Sequence, residues 1–226
     1  MTPIAENVVR VRTRVAAAAE RGGRKVDDVE LVAVTKTFDA SVVRDVVNAG
    51  VLDIGENRVQ ELVAKQDELR DLSCRWHLVG PLQRNKAGKV VGRVDLVHSI
   101  DSARIAETVN RIAGERAVRM RVLLEVNTSG EVSKHGVTPA GAQAAADILV
   151  GLEHLDWLGL MTIGPLSHGD TRACFRTLAR LAQELRAATG NPLPILSMGM
   201  SDDFETAIEE GSTMIRVGRC ITGERR

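Results

Sequence analysis

Residues 31–56 read LVAVTKTFDASVVRDVVNAGVLDIGE. An apolar run at 31–34 is followed at 41–48 by Val42, Val43, Val46 and Val47 in helical spacing, then by Gly50 and a second apolar run at 51–54. A short run of branched residues with no polar alternation is the pattern of a strand buried on both faces. The stretch between the two runs has the period of an amphipathic helix, and Gly50 sits where a helix ends in a left-handed residue. Strand, helix, strand in so few residues specifies a parallel crossover.

The same unit repeats outward. Further apolar runs occupy 76–79, 94–97, 122–126, 158–163, 195–197 and 214–217. Helical stretches are expected at 57–70, from Thr138-Pro139 to Leu149, from Asp170-Thr171 to Gly190, and from Asp202 to Gly211, where Asp202 and Glu205 have capping-box spacing. Ahead of the first strand, Thr2 caps and Pro3 opens a helix that carries Ile4, Val8, Val11 and Val15 and stops at Gly22-Gly23. Eight strands alternating with helices predict a (β/α)8 TIM barrel with an extra N-terminal helix, residues 1–226 forming a single domain. An open doubly wound sheet fits the same alternation.

Thirty Lys and Arg balance thirty Asp and Glu, and aromatics make up only 2% of the chain, with no Tyr. A neutral, aromatic-poor chain lacks the basic face and stacking rings of a nucleic-acid binder. No apolar run approaches the ~18 residues of a membrane helix, and the mixed-charge start is no secretory signal. Cys74, Cys174 and Cys220 are odd in number and far apart, and the five histidines have no metal-binding spacing. Neither a disulfide framework nor a metal site is expected, and a reducing cytoplasm is the natural compartment.

In α/β folds ligands bind at the carboxyl ends of the strands, so the residues after each run matter most. Lys36 follows LVAVT directly. Partial desolvation there lowers an amine's pKa and frees it to attack a carbonyl, although a strand-end lysine also snorkels to water or pairs with a carboxylate such as Glu56. The stretch SMGMSDD at 197–203 is a small-residue turn opening a helix, with Ser201 adding a hydroxyl; it is an anion site or an ordinary tight turn. Asp202 and Asp203 oppose an anion unless they face away as caps. One helix later come Arg216, Gly218 and Arg219, in the loop that completes the usual phosphate position of such barrels. His77 in a strand reads as a core histidine or a site residue, and Glu125 and Asn127 as barrel lining or strand ends. Met161, Met198 and Met200 read as packing, and Arg116, Arg119 and Arg121 as a solvated charge run.

LVAVTK ending at Lys36, GENRVQE at 55–61, WHLVGPLQRNK at 76–86 and LSMGMSDD…AIEEGSTMIRVG at 196–218 together resemble the pyridoxal phosphate homeostasis family over nearly the whole chain. The resemblance implies a barrel like the N-terminal domain of alanine racemase, binding pyridoxal 5′-phosphate (PLP). It implies a Schiff base at Lys36, with phosphate held by Ser201, Gly218 and the backbone of Arg219 and Met200. Arg216 would face the pyridine nitrogen, and Asn57 and His77 would lie in or just behind the site. A permanent cation opposite the ring nitrogen disfavours its protonation and makes the ring a poorer electron sink. Racemases of this arrangement add a Tyr base from a further domain, whereas this chain has no Tyr and ends at Arg226. The expectation is a cytoplasmic, monomeric PLP carrier that buffers the cofactor or delivers it to apo PLP-dependent enzymes. The alternatives are a PLP-dependent racemase-like enzyme and a class I aldolase using Lys36. Relatives often carry a second lysine, with any secondary cofactor site it serves, where this chain has Phe38; they also often have an aromatic at Arg58 and a Phe at Thr222, and neither of these two changes removes a proposed cofactor contact.

Overall fold

The computed structural model describes residues 2–165 and 170–223. Its first helix, α1 (Pro3–Arg21), is capped by the Thr2 side chain, which accepts from the Ala5 N–H, and buries Val8, Val11 and Val15 as the spacing predicts. Strands and helices then alternate: β1 (Glu30–Val34), α2 (Ala40–Asn48), β2 (Asp53–Glu56), α3 (Val59–Glu68), β3 (Arg75–Leu78) and β4 (Leu96–Ile100). The second half continues with α4 (Ala103–Glu115), β5 (Met120–Glu125), α5 (Ala142–Val150), β6 (Leu155–Met161), α6 (Thr171–Thr189), β7 (Ile195–Ser197), α7 (Phe204–Glu209), β8 (Met214–Val217) and α8 (Arg219–Thr222).

The eight strands close into a parallel barrel in chain order. Closure is explicit where β8 returns to β1, with Glu30 opposite Met214 and Ala33 opposite Val217. The open doubly wound alternative is thereby excluded. Side chains on the outer strand faces, such as Ala33, Ile54, Leu78 and Val97, join the helices in one apolar shell. Inside, Val32, Leu96, Leu123 and Met214 form a smaller cluster, as the alternation of a barrel strand requires. Among the described residues no helix is long and apolar enough to cross a membrane.

Three differences from the expected elements have physical causes. The second strand begins two residues later than the apolar run, because Val51 is buried ahead of the ladder while Gly55 and Glu56 continue it. The segment after Thr138 opens as a 3-10 turn, Pro139–Gly141, before α5 begins. Helix α4 falls where no element was expected, although Ile105, Val109 and Ile112 give it a buried stripe.

Outside the barrel, α1 packs across α7 and α8. Arg14 chelates Glu205 at 2.9 and 2.7 Å and lies over the Phe204 ring, while Asn7 Nδ2 donates to Ile221 O at 2.8 Å. The extra helix thus braces the two short helices whose starts border the site described next.

Candidate functional site

A cavity of about 510 Å³ opens at the carboxyl ends of the strands. Lys36, Asn57, Met200, Ser201, Arg216, Gly218 and Arg219 all line it, together with Glu125, Lys134 and His135. His77 does not line it. Its buried ring lies deeper in the barrel, between Asp53 and His98.

The turn that carries Lys36 is pinned from three sides. Thr35 Oγ1 donates to Glu56 Oε1 at 2.7 Å, Thr35 O accepts from Lys65 Nζ at 2.8 Å, and the Thr37 N–H donates to Glu61 Oε2 at 2.9 Å. Thr37 itself has φ 69°, a left-handed conformation that a β-branched residue adopts only at a cost of order 1–3 kcal/mol. Glu56, the carboxylate considered as a partner for Lys36, is bound by Lys65 at 2.5 Å. Burial pushes its pKa up, against the hydrogen bonds of Lys65 and Thr35. The segment 55–61 therefore supplies two acidic clamps, Glu56 and Glu61, for the Lys36 turn, and Asn57 to the cavity wall. Gly80, at the end of β3, is required by the same loop: a Cβ there would lie 2.3 Å from Asn57 O.

Opposite, the two aspartates that counted against an anion site are both engaged. Asp203 Oδ1 accepts from the Met200 N–H at 2.6 Å, and Asp202 forms an ion pair with Arg219. Met200 lines the cavity, and its N–H is held by this cap. Ser201 Oγ accepts from the Cys220 N–H at 3.4 Å, joining the β7 turn to the first turn of α8. Gly218 begins that turn, where helical geometry leaves N–H groups without intrahelical acceptors. A Cβ at Gly218 would lie 3.2 Å from Val34 O, so β1 and β8 meet tightly beside the turn.

Arg216 reaches the cavity from β8, buried, with Nη1 donating to Ser197 Oγ at 2.6 Å and Nη2 to Thr162 O at 2.8 Å. Burial lowers its pKa to about 10, against the opposing influence of Glu125 and Asp203, so it remains a cation at neutral pH. Burial together with Asp101 raises Glu125 to about 7, while Arg216 and His135 pull it down.

Several groups that build the site were not expected from sequence. Lys65 sits in a helical stretch where a lysine ordinarily marks the solvated face. Lys134 comes from the loop after β5, paired with Glu131 at 2.9 Å and donating to Gly164 O at 2.5 Å, which ties that loop to the one after β6. No motif marks either. His98 lies in β4 just past the apolar run at 94–97, and Ser197 ends the run at 195–197 and opens the SMGMSDD turn; neither position marks a residue that points into the barrel.

The chain matches the family model described as alanine racemase, N-terminal domain, over residues 5–226. The pyridoxal phosphate homeostasis protein of Aquifex aeolicus (strain VF5) is 41% identical over 223 residues, covering 98% of this chain and 98% of that protein. The protein of the same name from Escherichia coli (strain K12) is 38% identical over 230 residues, covering 100% of this chain and 98% of its own length. Among solved structures, PipY of Synechococcus elongatus PCC7942 with PLP bound aligns with a TM-score of 0.86 at 38% identity, over 97% of this chain and 100% of that one. An alanine racemase of Clostridium difficile 630, 16% identical, aligns with a TM-score of 0.74 over 98% of this chain and 56% of its own, a likeness of fold. With a family model matched nearly end to end and full-length relatives at about two-fifths identity, the chain belongs to the pyridoxal phosphate homeostasis proteins, within the alanine racemase N-terminal domain family.

Proposed function

We propose that this protein binds pyridoxal 5′-phosphate in the rim cavity and serves PLP homeostasis by buffering the cofactor or delivering it to apo PLP-dependent enzymes, without strong catalytic activity of its own. The observation that carries the reading is that an amine (Lys36), a hydroxyl beside a helix start (Ser201 and α8) and a buried guanidinium (Arg216) face one cavity of about 510 Å³. These are the three groups that an aldehyde, a phosphate and a pyridine nitrogen require. Lys36 is the amine that condenses with the aldehyde, releasing one water. Ser201 and the backbone of Gly218 and Arg219 take the phosphate, Arg216 faces the ring nitrogen, and Asn57 completes the wall. His77 acts from behind.

The bound cofactor would supply an electron-withdrawing ring, and the chain's own residues decide how far that is used. Arg216 stays charged and blocks protonation of the ring nitrogen, which weakens the ring as an electron sink. The chain has no Tyr to act as the second base of a racemase. Both features favour holding the cofactor over turning over an amino acid. We place the protein in the cytoplasm as a monomer.

The test is the visible spectrum of purified protein titrated with PLP. A yellow band fixed by borohydride in the parent and missing in Lys36→Ala is the expected result; an unchanged band in Lys36→Ala defeats the assignment. One observation favours a racemase-like reading, namely Glu125 lining the cavity with a pKa raised to about 7 by burial. Exchange of an amino acid's α-hydrogen with deuterated solvent, lost in Glu125→Gln, would decide for it.

A further inference from the structure

Beneath the cavity, polar side chains from five strands meet end to end through the barrel interior. Arg216 Nη1 lies 2.6 Å from Ser197 Oγ, Ser197 Oγ lies 2.9 Å from His98 Nδ1, and His98 Nε2 lies 3.0 Å from His77 Nδ1. His77 Nε2 then lies 3.0 Å from Asp53 Oδ1. All five residues are buried. At the far end Arg75 closes on Asp53 with two bonds of 2.6 and 2.5 Å. The row crosses the barrel from its amino-terminal end to the floor of the cavity.

Chemistry at the two ends fixes the direction of every bond between them. A guanidinium only donates, so Ser197 Oγ accepts from Arg216; at the other end the Asp53 carboxylate only accepts, and through two neutral imidazoles this makes His98 Nδ1 an acceptor for the Ser197 proton. His98 must then carry its proton on Nε2 and donate it to His77 Nδ1. His77 in turn carries its proton on Nε2 and donates to the Asp53 carboxylate, which only accepts. With both imidazoles neutral, each link has one donor and one acceptor. The surroundings agree. Burial, aided by His77 and Arg216, drives His98 well below the ordinary histidine range. Burial pushes the Asp53 carboxyl up, but the hydrogen bonds of His77 and Arg75 outweigh it and hold the group at about 2.

Apolar side chains already fill the adjacent interior positions, Val32, Leu96, Leu123 and Met214 among them. A polar row in such a place is tolerated only when fully paired, and once paired it confines each member to one rotamer. We propose that Ser197, His98, His77 and Asp53 are positioning residues, a one-way hydrogen-bond chain that fixes the Arg216 guanidinium at the cavity floor and so sets the polar face presented to a bound ring. The row itself stands on the distances above; its meaning for a ring rests on the PLP reading.

Two measurements test it. The first is ¹⁵N NMR of the imidazoles at pH 8 in protein without PLP. Both His77 and His98 are expected as neutral Nε2–H tautomers, and an Nδ1–H tautomer or an imidazolium at His98 overturns the chain. The second uses PLP as probe. Ser197→Ala and His98→Phe are each expected to weaken binding about tenfold and to move the absorption band in the same direction as Arg216→Lys, with Ser197→Thr restoring both. The double variant Ser197→Ala/His98→Phe is expected to be no worse than either single one, because both break one chain. Ser197→Ala protein that melts like the parent yet keeps the parent affinity and band overturns the positioning role. Failure of the unmutated protein to bind PLP would sink the proposed function alone, since the tautomers are read without it.

Discussion

Lys65 Nζ lies 2.5 Å from Glu56 Oε1 and 2.8 Å from Thr35 O, so a single buried ammonium joins the carboxylate that ends β2 to the backbone one residue before Lys36. Both side chains of the pair are withdrawn from water, and the other oxygen, Glu56 Oε2, has no hydrogen-bond partner among the described residues. Removing one member of such a pair strands the other charge. Lys65→Met is expected to destabilise the fold by about 3–5 kcal/mol, and Lys65→Met/Glu56→Gln to recover part of that loss. Urea unfolding of the three proteins measures it. Equal stability of the single and double variants would show that the cost lies in packing.

Gly80 offers a second, steric test of the same region. A Cβ at this position would stand 2.3 Å from Asn57 O and 2.9 Å from Asn57 Cα, and these are backbone atoms that cannot swing away. Gly80→Ala is expected to cost about 1–3 kcal/mol, the range for overpacking, and to weaken PLP binding by moving the Asn57 loop. Gly92→Ala is the matched control: it has open space but φ 77°, so it pays only for backbone conformation and should leave binding unchanged. Thermal melting and a PLP titration separate the two effects.

The pattern of the sequence carried the barrel because its signal is collective. Each buried strand announces itself as an apolar run, and small errors of register, such as the late start of β2, leave the order of elements untouched. The rim is legible for a related reason: Lys36, Ser201 and Gly218 lie within a few residues of the ends of β1, β7 and β8, and barrel topology brings strand ends together. What sequence could not display was the pairing behind the rim. Lys65 looks like any helical lysine, because nothing in a linear pattern reveals that Glu56 waits across a loop. His98 follows one apolar run and Ser197 ends another, and only the inward alternation of β4 and β7 turns them toward the interior row that ends on Arg216. At Met200 the capture of the N–H by Asp203 depends on a side-chain rotamer, which no linear pattern records.

The phosphate end of the site can be probed apart from the aldehyde end. Ser201 Oγ accepts from the Cys220 N–H at 3.4 Å, so its own proton is available to an anion. A hydrogen bond to a charged group contributes roughly 1.5–3 kcal/mol. Ser201→Ala is therefore expected to weaken PLP about tenfold or more. Binding of pyridoxal, which has the aldehyde and no phosphate, should stay as it was. Parallel titrations with the two ligands check this, and an equal loss for both would move Ser201 out of the phosphate role.

Glu125 gives the protein a pH signature whose sign is fixed. Burial, with Asp101 nearby, raises its pKa from 4.5 to about 7, while Arg216 and His135 act in the other direction. Between these two values the folded protein holds a proton that the unfolded chain has already released. Stability is therefore undiminished below pH 4.5 as far as this group is concerned, falls as pH rises through the window, and is lowest above pH 7, the total being of order 3 kcal/mol. Glu125→Gln keeps the shape of the protonated acid and cannot ionise. The difference in unfolding free energy between variant and parent is thus expected to be small at pH 5 and to grow in favour of the variant by pH 8, with the other carboxylates cancelling in the comparison. Urea denaturation at the two values measures it, and a difference that is flat with pH would mean that Glu125 finds a compensating partner when ionised. The cost at neutral pH falls on a cavity wall beside the Arg216 cation, where a charge retained at the expense of stability has a use only if something in the cavity reads it.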